Sequence, residues 1–261
     1  LHKAIRRQRQ MCIRDSCTLG AFTSCSDDND EPKAKRLEAI EGTWNVEESK
    51  MDPTTFEMTG SIKINWEGDE EKGVFKNFMG SGEDYPVSNA LAMVSMLGNA
   101  KLPTVLKSVT FTKDGKIIAL YKETESTSST ESDGWKIAED YASYAVVNDN
   151  LINVSLNISK VTEGIEDPQE KAMIEGMLKQ YPNIPVHISW DATKTKPFFY
   201  VDKEFVQPII LQLLGTLDKI PTADMDEEEK IQFEKIKGIA TQLPGILNAT
   251  TKLEAGIELT K

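Results

Sequence analysis

Short stretches of this chain alternate between apolar and polar residues, and the alternation repeatedly gives way to helical spacing. Ile62, Ile64 and Trp66 face one way with Lys63 and Asn65 between them, the period of two that marks a half-buried strand. The acidic run 67–71, followed by Lys72 and Gly73, predicts a hairpin turn into a strand over 74–79. Val87, Leu91, Val94 and Leu97 then fall at helical spacing, and Gly98-Asn99 supplies a stop. Strands over 109–112 and 117–121 flank Lys113-Asp114-Gly115-Lys116, the strongest hairpin signal in the chain. A loop rich in Ser, Thr and Glu follows at 123–133. Beyond it, strands over 141–147 and 151–158 pair across Asn148-Asp149-Asn150.

In the second half, Asp167-Pro168 starts a helix: the carboxylate caps it, and proline fills the first turn, where no amide donor is needed. Ile174, Met177 and Leu178 form its apolar face. Strands at 186–190 and 198–201 precede an apolar helix that Pro208 is expected to open, carrying Ile209, Ile210, Leu213, Leu214 and Leu217. The acids from Asp224 to Glu229 suit the start of another helix, where negative charge meets the positive end of the dipole. Ile236, Ile239, Ala240 and Leu243 are its expected buried side, and Leu253, Ala255, Ile257 and Leu259 alternate as a last strand. The expected architecture is α+β: an antiparallel barrel or strongly curved sheet with helices inserted between strands. The ordered domain spans 37–261, with Leu37, Ile40 and Trp44 as its first anchors. A faint repeat, Leu102-Pro103-x-x-Leu106 and Leu243-Pro244-x-x-Leu247, is short enough to arise by chance.

Length and composition bound the function. At 261 residues the chain suits one sizeable domain. Its formal net charge is -12. The first 25 residues hold five of the 30 basic side chains and one of the 42 acidic ones, which leaves -16 on the remainder. Such a charge repels anionic partners and excludes a nucleic-acid surface. Cys12, Cys17 and Cys25 are the only cysteines, and His2 and His187 the only histidines. The body after Cys25 therefore has no disulfide framework, zinc ligand set or thiol nucleophile.

The segment 17–25, Cys-Thr-Leu-Gly-Ala-Phe-Thr-Ser-Cys, is small and apolar, and the chain turns abruptly acidic at Ser26-Asp27-Asp28-Asn29-Asp30-Glu31. A lipoprotein signal ends in this way, with small residues before a cysteine whose thiol is acylated. Phe22-Thr23-Ser24-Cys25 lacks the usual leucine at its first position and resembles the looser pattern of Bacteroidetes. There, cysteine followed by serine and acids resembles the signal for export to the outer face of the outer membrane. Residues 1–16 are too polar for a signal core, and 9–16 resemble translated sequencing-adapter DNA, so 1–16 are read as an artefact. Residues 17–24 are the end of the signal peptide, and 25–36 the lipidated Cys25 with an acidic tether.

Motifs for catalysis are absent: there is no Gly-x-Ser-x-Gly elbow, no phosphate-binding glycine loop and no His-Glu-x-x-His. His187 lies on a strand with no second histidine in the body, so it reads as a strand residue rather than a general base. Asp224, Asp226 and Glu228 lack the glycine and distal glutamate of a calcium loop and read as a helix cap, and 67–71 as a solvated hairpin tip. No spacing singles out a carboxylate pair for glycoside hydrolysis, whose geometry is set in space. Trp44, Trp66, Trp135 and Trp190 read as core, and Met93, Met96, Met173 and Met177 as adaptable packing on helix faces. No catalytic, cofactor or metal residue is assigned.

Ile40-Glu41-Gly42-Thr43-Trp44-Asn45-Val46 resembles the opening Gly-x-Trp strand of lipocalin-like domains. With Cys25, the chain resembles the lipocalin-like (calycin-like) outer-membrane lipoproteins of gut Bacteroidetes, to which Phe198-Phe199-Tyr200-Val201-Asp202-Lys203-Glu204-Phe205 is also similar. The resemblance implies a barrel with Gly42 and Trp44 as structural signature, Trp44 closing one end, and no catalytic residues. The number of helices departs from a simple lipocalin and leaves the size and closure of the barrel open. The leading expectation is non-enzymatic binding of a small apolar ligand or a glycan, at the cell surface and anchored to the membrane by lipid. The alternative is an accessory subunit of a surface assembly, with a filled barrel, protein partners and no small ligand. A hydrolase using an unrecognised carboxylate pair ranks last. Bulky side chains inside the barrel favour the accessory subunit, and an open cavity the carrier.

Overall fold

The structure is a computed structural model that describes residues 36–261 apart from 52, 55–57, 123–133, 218–219, 221 and 223–224. The described residues lie in one compact unit, Ala34–Lys261. Strands β1 (Gly42–Val46), β2 (Lys50–Met51), β3 (Met58–Thr59), β4 (Ile62–Gly68), β5 (Val74–Phe75) and β6 (Tyr85–Pro86) come first. Helix α1 (Val87–Val105) leads into β7 (Leu106–Phe111), β8 (Lys116–Lys122), β9 (Trp135–Asn148) and β10 (Leu151–Leu156). Helices α2 (Ile158–Val161) and α3 (Pro168–Leu178) precede β11 (Ile184–Trp190) and β12 (Pro197–Asp202). Helices α4 (Lys203–Leu217), α5 (Glu227–Ala240) and α6 (Leu243–Ala249) precede the last strand, β13 (Thr250–Thr260).

The antiparallel order β1-β7-β8-β9-β10-β11-β12-β13 closes on itself, because Asn45 pairs with Thr260 and Val46 with Leu259. The result is an eight-stranded closed barrel carrying several helices, the coarse architecture expected from the alternation. β4 follows β1 along the same edge of β13, with Ile62 opposite Ile257 and Gly68 opposite Thr250. One wall strand is thus interrupted by the excursion 47–61 and then resumed. Helix α1 lies against this resumed strand and also touches β3, β6, β7 and β8.

Connections differ sharply between the two ends. Tight turns join β7 to β8, β9 to β10 and β11 to β12 at one end. The helical insertions all leave from the other. β1 begins and β13 finishes at the tight-turn end, since Gly42 lies opposite Phe111 and Thr260 opposite Asn45.

Several helix boundaries differ from the expectation, each for a physical reason. α1 runs through Gly98-Asn99 and Pro103 to Val105. A side chain at Gly98 would meet Ile62 Cδ1 at 2.6 Å, so glycine there permits close helix–strand approach rather than ending the helix. Its buried side is Val87 and Asn99, whereas Val94 and Leu97 are 53% and 59% exposed. α4 begins at Lys203, five residues before Pro208, with the Asp202 carboxylate accepting from the Phe205 amide (3.0 Å). Ile236, expected on the buried side of α5, is exposed, while Ala240 is buried. The strand expected over 74–79 stops at Phe75, and a 3-10 turn follows at Phe78–Gly80. The strand expected to reach Ile158 ends at Leu156, and Ile158 opens α2 instead. The repeat does not map onto one structure: Leu106 starts β7, while Leu247 is buried within α6.

Candidate functional surfaces

Barrel interiors either hold a ligand or are filled, and here the inner positions carry bulky residues. Ile40, Trp44, Val109, Phe111, Ile152, Ile188, Phe199 and Leu259 form one buried cluster, with Tyr144, Trp190 and Ile257 packed against it. Phe111 stacks on Phe199 at 4.9 Å between ring centroids and meets the Tyr144 ring edge-on at 5.5 Å. Trp44 plugs the tight-turn end. Its Nε1 donates to the Ile40 carbonyl (2.6 Å), Trp190 packs edge-on at 5.9 Å, and Lys261 Nζ lies 4.7 Å above its ring. Gly42, just before it, has φ +113°, a backbone conformation that favours glycine. Arg36 holds the incoming chain through two hydrogen bonds to the Glu41 carboxylate (2.9 and 2.6 Å), which keep that carboxyl below its usual pKa. Cys25 lies outside the described residues.

Clefts open elsewhere, three of them free of any residue of the barrel cluster. The largest of these three, about 520 Å³, runs between the 3-10 turn and α5, with Met79, Ile231 and Ile239 among its apolar walls and Lys76, Lys230 and Lys235 at its sides. The Gln242 side chain bridges it, accepting from the Lys76 amide (2.6 Å) and donating to the Lys76 carbonyl (3.1 Å). A second cleft, about 310 Å³, lies beside the Lys116–Asp140 ion pair (2.8 Å). The third, about 270 Å³, follows β4 past Asn99.

His187 has a partner that the sequence reading missed. Its Nε2 lies 2.9 Å from Asp202 Oδ2, and its ring stacks on Tyr200 at 5.3 Å. The available signal was Asp202-Lys203 ahead of an apolar helix, an N-cap pattern. Asp202 does cap α4, which gives the contact a structural role. Tyr200 is a poor proton donor here, since burial and the nearby Glu254 push its pKa up. Every described carboxyl group with a resolved shift is lowered, by Lys or Arg partners or by hydrogen-bond donors, as at Asp69, Asp84, Asp114, Glu175 and Asp191. A glycosidase acid needs the opposite shift. Among the described residues no group of three His, Cys, Asp or Glu side chains is placed to hold a metal ion. Asp226 instead caps α5, accepting from the Glu228 and Glu229 amides, while Glu229 reaches back to the Asp226 amide.

Fold and surface together define an α+β protein built on a filled, closed, eight-stranded antiparallel barrel whose helical insertions leave from one end. No protein-family model matches the chain, and no curated protein or solved structure is significantly similar to it.

Proposed function

We propose that this chain is a non-enzymatic interaction module of the bacterial cell envelope, a lipocalin-like lipoprotein held at the outer membrane by lipid on Cys25. The observation that carries the reading is the barrel interior: aromatic and branched side chains occupy the space a carried ligand would need. The acidic tether after Cys25 supports the address, and the uncharged helix surfaces outside the barrel supply apolar area for protein contact. A second reading, binding of a small apolar molecule or a glycan, draws on the cleft of about 520 Å³, a size in the range of small-ligand sites. Such a ligand would lie outside the barrel, against Met79 and Ile231.

One experiment addresses both. The chain, with residues 1–16 replaced by the start of a lipoprotein signal peptide of the host, and its Cys25→Ser variant are expressed in a Gram-negative host that lipidates lipoproteins, fractionated, and weighed by native mass spectrometry. The expected result is wild type in the membrane fraction, the variant in the soluble fraction, and a mass with no small molecule attached. A variant that stays with the membrane defeats the anchor. A reproducible bound mass of a few hundred daltons transfers the reading to the cleft ligand.

A further inference from the structure

Successive turns of α5 present one side to the cleft beside the 3-10 turn: Lys230 and Ile231, then Glu234 and Lys235, then Gly238 and Ile239. The facing wall comes from the 3-10 turn, where Met79 is exposed. Met79 and Asn77 both take left-handed backbone conformations (φ +54° and +49°), which side chains disfavour. The turn is held in that shape by the Gly82 amide donating to Asn77 Oδ1 (2.7 Å) and the Phe78 amide donating to the Glu83 carbonyl (2.9 Å). Space is kept open as well. A Cβ at Gly80 would meet nothing within 4 Å, nor would one at Gly238 beyond its own helix. Glycine inside a helix costs about 1 kcal/mol against alanine, so α5 gives up stability where it borders the cleft.

Charge selects the occupant. Three lysines and one glutamate line the cleft, in a chain whose acids outnumber its bases. Lys76 is drawn to Asp84 (2.5 Å) and Lys230 to Glu227 (3.3 Å), and neither acid is a lining residue. Lys235 is half-buried and forms no ion pair among the described residues. None of the lining residues is aromatic, so the cleft offers no ring for a sugar to stack on. We propose that the cleft binds a small amphipathic anion, its apolar body against Met79, Ile231 and Ile239 and its single charged head on Lys235. This inference rests on the second reading above and narrows its ligand to one chemical class. The filled barrel takes no part in it. A second negative charge would meet Glu234 or compete with Asp84 and Glu227 for lysines already engaged. Apolar walls and a cationic edge match the two ends of such a molecule, and methionine adapts to the shape of its tail. One surface charge holds a head group modestly. The ligand therefore exchanges, leaves during purification and has to be supplied.

The test uses the full chain with Cys12, Cys17 and Cys25 replaced by serine, so its outcome is independent of lipidation. Three probes share a tail and differ in charge: decanoate, 1-decanol and decyltrimethylammonium, each kept below its solubility or micelle limit. Isothermal titration calorimetry near neutrality is expected to give one decanoate site, about fivefold tighter than decanol, with the cation weakest. Lys235→Gln is expected to weaken decanoate about fivefold and to leave decanol unchanged, which also shows the cleft intact. Ile231→Gln, at an exposed position, is expected to weaken both about fivefold. Glu234→Gln is expected to tighten decanoate about twofold. Equal affinity for decanoate and decanol keeps a ligand in the cleft but overturns its anionic class. Binding of none of the probes overturns the class and the second reading together. Decanoate binding that neither Lys235→Gln nor Ile231→Gln alters lies elsewhere and overturns the site.

Discussion

Trp44, at the tight-turn end, and Asn99, beside β4, are both nearly inaccessible, yet they hold their surroundings by opposite means. Around Trp44 the barrel is closed by its own strands and the space is filled by hydrocarbon and rings, so many weak contacts share the work. Beside β4 the neighbouring strand is missing, and a helix supplies the lost partner: the Asn99 carboxamide binds both polar groups of Ile62, and Ser95 Oγ also donates to the Ile62 carbonyl (3.0 Å). The backbone leaves no slack there: a Cβ at Gly60 would meet Asn99 Oδ1 at 2.5 Å. A filled tube is redundant in its contacts, and a patched wall depends on two polar side chains of one helix. Gln242 repeats the device at the surface on Lys76, where water can replace it.

The largest expected effect separates the two regions by chemistry. Trp44→Ala removes the plug and its indole hydrogen bond, and denaturant unfolding is expected to show a loss of about 3–5 kcal/mol. An unchanged midpoint would show that the tight-turn end is held by its turns alone. Next comes Asn99→Leu, close in size but unable to hydrogen-bond, which strands the Ile62 amide at about 1–3 kcal/mol while Ser95 Oγ still donates to the Ile62 carbonyl (3.0 Å). Amide exchange at Ile62 is expected to rise in that variant while exchange at Trp44 stays slow. Equal rises at both would mean that wall and tube unfold as one unit.

The smallest effect concerns the turn between β11 and β12. Asp191 accepts from the amides of Thr193, Thr195 and Lys196 (3.2, 2.6 and 2.7 Å) and from the hydroxyls of Thr193 and Thr195. These donors hold its carboxyl well below the ordinary carboxylate range. A folded-state pKa below the unfolded value means that the stabilisation is present above about pH 4 and fades as pH falls further. Asp191→Asn is therefore expected to flatten the acid limb of a melting-temperature profile and to leave the region near neutrality almost unchanged. A wild-type profile that stays level down to pH 2 would remove the turn from the account.

How much of this was legible depended on whether the information was local. The Lys113–Lys116 turn appeared where Asp-Gly stands, with Gly115 at φ +81° and the Thr112 amide donating to the Lys116 carbonyl. Asp167 capped α3 as its Asp-Pro pair implies. The alternation from Leu253 to Leu259 became β13. Nothing local to Gly98-Asn99 reveals that both residues face Ile62, more than thirty positions earlier, so a pair that reads as a helix stop sits inside a helix. The meeting of His187 with Asp202 depends on strand pairing in the same way. Barrel closure is the extreme case, since neither β1 nor β13 alone indicates that they are neighbours.

That closure has a consequence in time. Asn45, in the first barrel strand to be synthesised, finds its partner in Thr260, in the last barrel strand. Until the final strand has left the ribosome, the strands can form only an open sheet, and neither β1 nor β12 has its β13 neighbour. Lys261, directly after β13, then settles over the ring of Trp44. The search that brings these distant strands together sets a slow final step, and until it is complete the chain is held back from its native form.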